Sequence, residues 1–83
     1  MDPQERSKKL ARLEACKQFG EKAYDAMYDA PSFSAATGYY SDAKEAFYEA
    51  IKLARDLDLK EEMAALEKRL AHIKVVFRSQ FVQ

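Results

Sequence analysis

Only four residues of this chain can readily interrupt a helix: Pro3, Gly20, Pro31 and Gly38. Their positions divide it. Pro3 suits a first helical turn, with Asp2 as the N-cap before it. From there Leu10, Leu13, Cys16, Gly20, Ala23, Tyr24 and Met27 recur at steps of three and four, which is one helical face. Pro31 ends that helix, because a residue preceding proline avoids the α region. The segment PSFSAATG (31–38) is rich in small and turn-forming residues and reads as a loop. Ser41 or Asp42 then caps a second helix running to about Leu57. Asp58, with Glu61 three positions on, reads as a capping box opening a third. That third helix gathers Leu59, Met63, Leu66, Leu70, Ile73, Phe77 and Phe81 into one arc. No segment alternates with period two, so no sheet is expected. The expectation is a single all-α domain over 1–83, with helices at about 3–30, 41–57 and 59–81. Two connections make it an antiparallel up-down-up three-helix bundle.

Composition narrows the function classes. With 83 residues, 14 basic and 14 acidic, the formal net charge is zero. Nucleic-acid and anionic-membrane binders usually carry a basic excess, so the balance argues against both. No apolar run is long enough to span a bilayer. The opening MDPQERSKKLARLE lacks the apolar centre of a secretion signal, and the expectation is a cytoplasmic protein. One cysteine, Cys16, excludes an intramolecular disulfide. A core of this size is marginal without a staple, a metal or a partner.

The second helix carries the most specific pattern. Tyr40, Ala43, Phe47, Ala50, Ile51 and Ala54 face its neighbours, with small residues admitting close approach and rings filling the gaps. Gly20 lies at the centre of the first helix's apolar face, where glycine costs about 1 kcal/mol relative to alanine. A residue that costly in that place predicts close contact with a large ring, and Phe47 is the candidate.

Gly38, Tyr40, Ala43, Phe47 and Ala50 match, in type and spacing, the second helix of a tetratricopeptide repeat, which this stretch resembles. Phe19-Gly20 resembles the family's large-then-small pair in the preceding helix. The expected tyrosine falls one place late, at Tyr24, and the 29–38 connection is longer than the family's tight turn. The resemblance covers one repeat, about half the chain, and no second copy follows. It implies a helical hairpin and a protein-binding role, although one repeat cannot form the concave groove of an array. The layout is also similar to the microtubule-interacting and trafficking domain, which binds helical peptides between helices. That domain's short first turn is absent here.

Charge order suits the bundle. The first helix is basic early (Arg6, Lys8, Lys9, Arg12) and acidic late (Asp25, Asp29). The third is acidic early (Glu61, Glu62, Glu67) and basic late (Lys74, Arg78). Two such helices lying parallel would set opposite signs against each other at both ends.

Chemistry-bearing residues are sparse. His72, the only histidine, lies opposite the Leu70 stripe and is expected to face solvent; no Cys, Asp or Glu stands three or four residues from it, so no local metal site is expected there. Cys16 on an apolar face is a small hydrophobe without a base in reach. The carboxylates are spread along helices, and none pairs in an apolar setting as acid–base catalysis requires. We expect a non-catalytic chain with no cofactor, no metal and no small-molecule substrate. The run Arg6-Ser-Lys8-Lys9-Leu-Ala-Arg12, flanked by Glu5 and Glu14, gives the alternative reading: a small nucleic-acid-associated helical protein. Among the tyrosines, Tyr24 and Tyr40 are expected in the core, and Tyr28, Tyr39 and Tyr48 partly exposed.

A second stripe on the third helix, Ala64, Ala71, Val75 and Val82, has heptad-like spacing and stands roughly 100–120° from the main face. Two coverings are open. The first helix covers it with Phe19, Ala15 and Ala26, or another chain does. Helices over 41–57 and 59–81 would also leave the third outrunning the second by roughly two turns. The overhang FRSQFVQ would expose Phe77, Phe81 and Val82, with Phe33 and Tyr39 covering only part of it. The expectation is a small helical adaptor or self-associating regulatory subunit. Its partner is a protein or a second copy in a homodimer, met through Ala71, Val75, Phe81 and Val82.

Overall fold

The computed structural model describes residues 1–82, and they form three helices and no strand. The protein is an all-α three-helix bundle. Helix α1 spans Pro3–Tyr28, α2 spans Phe33–Asp56 and α3 spans Lys60–Gln80. Asp2 caps α1 by accepting the Glu5 amide at 2.8 Å, with Pro3 in the first turn.

Helix α2 begins eight positions earlier than its sequence suggests. Ser32, not Ser41 or Asp42, is its N-cap and accepts the Ala35 amide at 3.1 Å. Pro31 ends α1 as expected, and the connection is then only four residues, 29–32. The PSFSAATG segment is therefore mostly helix. Its weak formers are tolerated because Ala36 is buried and the Thr37 hydroxyl donates to the Phe33 carbonyl. Gly38 sits on the open side, and a Cβ added there would meet nothing within 4 Å.

The turn into α3 also differs from expectation. Asp58 is not a capping-box residue: it has a positive φ of 57°, and Leu59 holds the N-cap position without a side-chain cap bond. Asp58 closes α2 instead. Its amide donates to the Arg55 carbonyl at 3.0 Å and the Leu59 amide donates to the Ala54 carbonyl at 2.9 Å. That pair of bonds is the Schellman arrangement, which requires a left-handed residue after the cap.

Helix α2 is the middle of the bundle. It packs along α1 and, over a smaller seam, along α3, whereas α1 and α3 meet mainly through side chains. Small residues Ala36, Ala43, Ala46, Ala50 and Ala54 are all buried on α2, and they let α1 approach. At the tightest point the Phe47 ring lies over Gly20. A Cβ on Gly20 would stand 2.7 Å from Phe47 Cε2, so the glycine is needed for the ring to fit. Leu13, Met27, Phe47 and Ile73 are the largest fully buried side chains.

Candidate functional site

The expected overhang at the end of α3 does not exist. Helix α2 has 24 residues against 21 in α3, so the early start of α2 covers the late part of α3. Phe77 is buried there, stacked on Tyr40 at 3.9 Å between centroids and 7° between planes. Phe33 stacks on Phe77 from one side at 6.2 Å and Phe81 from another at 5.7 Å. The Tyr28 ring meets Phe81 edge-on at 6.1 Å and Tyr24 at 5.4 Å. These rings close over Phe77, with Phe33 and Tyr28 themselves largely exposed, and such aromatic pairs add about 0.5–1.5 kcal/mol beyond area burial. Phe81 is thus half-buried within this cluster rather than free. Phe33, not Tyr39, makes the covering contact expected of the loop, and it does so from within a helix.

The second stripe of α3 is uncovered. Ala64, Ala71, Val75 and Val82 are all exposed, Val75 at 57% and Val82 at 45%. Helix α1 does not reach them: Ala15 and Phe19 are themselves exposed and Ala26 half-buried. The expected 100–120° offset was too small. Val75 lies two positions from both Ile73 and Phe77, which are buried, and so about 160° around the helix from each. The stripe is the back of α3.

Charges along this back are unevenly placed. After Glu67 the chain has no further Asp or Glu, while Lys68, Arg69, Lys74 and Arg78 follow. Arg69 is engaged on the α1 side, giving Glu21 two hydrogen bonds at 2.8 and 2.6 Å and stacking over the Tyr24 ring at 4.8 Å. Lys74 donates to the Tyr48 hydroxyl at 2.6 Å and so pulls that phenol's pKa below its ordinary value. Lys68, two turns before Val75, and Arg78, one turn after it, form no ion pair among the described residues, nor do Glu61 and Glu67 near Ala64.

Between α1 and α3 lies an open furrow of about 500 Å³, floored by Phe47, Ala65 and Leu66. Its walls are joined by Glu21–Arg69 and by Lys17–Glu62 at 2.5 Å. The helix-end pairs expected from charge order are replaced by others. On α1, Lys9 pairs with Asp56 and Arg12 with Glu49, both on α2, and Arg6 donates to the Leu57 carbonyl. The α1–α3 pairs join the middle of α1 to the first half of α3: Lys17 meets Glu62 in the first turn of α3, and Glu21 meets Arg69.

Among the described residues, Cys16, Tyr24 and His72 stand apart from one another in chemical setting. Cys16 is half-buried, and burial raises its thiol pKa, with Glu49 adding to the effect and Arg12 opposing it. A raised thiol is a poor nucleophile. Tyr24 is pushed up to about 12, first by burial and then by its hydroxyl bond with Tyr28 at 3.0 Å. His72 is exposed, edge-on to Tyr24 at 6.5 Å. Among the described residues no three His, Cys, Asp or Glu side chains converge on a metal position, and no helix is long and apolar enough to cross a membrane. No family model, no curated protein and no solved structure matches the chain.

Proposed function

We propose that this protein is a non-catalytic protein–protein interaction module, a small helical adaptor or self-associating subunit, working through the back of α3. The observation that carries the reading is the exposed stripe Ala64, Ala71, Val75 and Val82 on a helix whose opposite face already completes the core. An apolar stripe that the core does not need has a desolvation gain still to realise, at about 25 cal/mol per Å². Phe81 contributes from the edge of the aromatic cluster. The tetratricopeptide-like hairpin of α1 and α2 is the platform that holds α3. Up-down-up connectivity is supported by Lys9–Asp56 with Arg12–Glu49, whose positions run in opposite sense along α1 and α2, and by Lys17–Glu62 with Glu21–Arg69, whose positions run in like sense along α1 and α3.

The nucleic-acid alternative is weaker, because Lys9 and Arg12 of the basic run are already answered by Asp56 and Glu49. A cytoplasmic location is part of the proposal. The test is light scattering of the parent and of a Val75→Glu, Val82→Glu double variant over a range of concentrations. The parent should associate with itself or with an added protein partner, and the double variant should stay monomeric with an unchanged helical spectrum. A parent that is monomeric at millimolar concentration and binds no protein through this face would overturn the reading.

A further inference from the structure

The back of α3 has a counterpart elsewhere on the molecule. On the outer side of the α1–α2 seam, Ala15, Cys16, Phe19, Asp42, Glu45 and Ala46 line a shallow depression. Its floor is small and apolar, Phe19 stands at its wall 56% exposed, and two carboxylates edge it. Neither Asp42 nor Glu45 forms an ion pair among the described residues. Phe19 lies two positions from both Lys17 and Glu21, two of the α1 residues that reach α3. It is therefore about 160° around α1 from each of them. Depression and stripe face away from each other and cannot meet within one chain.

We propose that the occupant of the α3 back is the Phe19 depression of a second copy, in a head-to-tail contact. This rests on reading that stripe as an interaction surface, and it names the partner. Val75 enters over Ala15, Cys16 and Ala46, against the Phe19 ring. Arg78, one turn along from Val75, meets Asp42 and Glu45, and Lys68 adds positive charge on the other side. Charge favours this pairing over a two-fold one at the Val75 end of the stripe. Two α3 backs laid together there would bring the Arg78 side chains of both copies into one interface, while Glu61 and Glu67 flank only the Ala64 end. Like charges so juxtaposed select against that partner. The Phe19 side supplies the missing carboxylates. Unlike surfaces in contact make a heterologous interface, which leaves each end free to add another copy.

The test is a mixing experiment. Phe19→Glu and Val75→Glu each disable one face at an exposed position, and circular dichroism checks that both variants fold. The parent's mean mass should climb with concentration past twice the 9.5 kDa chain. Each variant alone should be monomeric. An equal mixture should give a complex of two chains and stop there, because only one intact stripe and one intact depression remain. Separately, Arg78→Glu should weaken association about tenfold and Glu45→Arg in the same chain should restore it, a tenfold change being about 1.4 kcal/mol. Association that survives Phe19→Glu overturns the head-to-tail contact. So does a mixture that stays monomeric while the parent associates. Either result leaves the α3 back as an interaction surface when Val75→Glu still abolishes binding. A parent monomeric at all concentrations overturns the self-contact, whatever other protein the stripe binds.

Discussion

The two sides of α3 differ by about half a turn of a helical wheel and by nearly everything else. The inner side presents Leu66, Leu70, Ile73 and Phe77, all buried. The outer side presents Ala64, Ala71, Val75 and Val82, all exposed. Both stripes are apolar and both keep helical spacing. What separates them is whether α2 supplies a surface of matching shape, and α2 has only two sides to give. One goes to α1, where Gly20 and a row of alanines let Phe47 sink into the seam. The other goes to the inner face of α3. Apolar periodicity therefore marks where a helix can be buried, and the geometry of the neighbour decides which of two stripes is buried within the chain.

That contrast can be broken most severely at the buried seam. Phe47→Ala should cost roughly 3–5 kcal/mol, enough to unfold a domain of this size, and a thermal melt checks it. Gly20→Ala should lower stability by roughly 1–3 kcal/mol through overpacking, although alanine is the better helix former. A Gly20→Ala variant as stable as the parent would show that the ring has room to move.

Gly38 tests the same residue type in the opposite setting. Its Cβ would meet open space, so Gly38→Ala should gain about 1 kcal/mol in chemical denaturation. The sign difference between the two glycines sharpens the comparison more than either value.

At alkaline pH the buried side should respond first. The Tyr24 phenol has a folded pKa of about 12 against about 10 in an unfolded chain. A pKa raised on folding means the protonated form is the one stabilised. Its contribution is complete below about pH 10 and is lost as pH rises toward 12. Tyr24→Phe should cost about 0.5–1.5 kcal/mol at neutral pH with the loss of the hydroxyl bond to Tyr28. It should also flatten the pH dependence between 10 and 12. Val75→Ala stands at the small end: on the outer face it should shift stability by no more than about 0.5 kcal/mol.

Much of the bundle is legible in the sequence, for reasons tied to particular residues. Gly20 at the middle of an apolar face announces Phe47, because nothing but close packing compensates a glycine there. Pro31 marks the end of α1 because its ring forbids continuation. The start of α2 is not legible from propensity, since Ser34, Thr37 and Gly38 are poor helix formers. Its signal is the Ser32 cap and the spacing of Ala36, Tyr40 and Ala43, which extends the buried face backwards. That misplaced start produced the imagined overhang and hid the Phe33–Phe77–Tyr40 stack. Asp58 looks like a cap by its chemistry, yet its left-handed backbone makes it the stop of α2. Ion pairs are the least legible element. Exposed pairs contribute about 0–1 kcal/mol each, so charge order constrains helix orientation weakly, and Arg12 and Lys9 find α2 rather than α3. The outward stripe was visible by spacing, and only its angle to the core needed the neighbouring helices.

The central claim is that the outer side of α3 is an association surface while its inner side is core. Amide and methyl chemical shifts recorded as the protein is diluted test this residue by residue. Concentration-dependent shifts should appear at Ala71, Val75 and Val82 and be absent at Leu66, Leu70 and Ile73. Shifts that do not change with concentration or with an added protein partner, or that gather on the inner face, would contradict it.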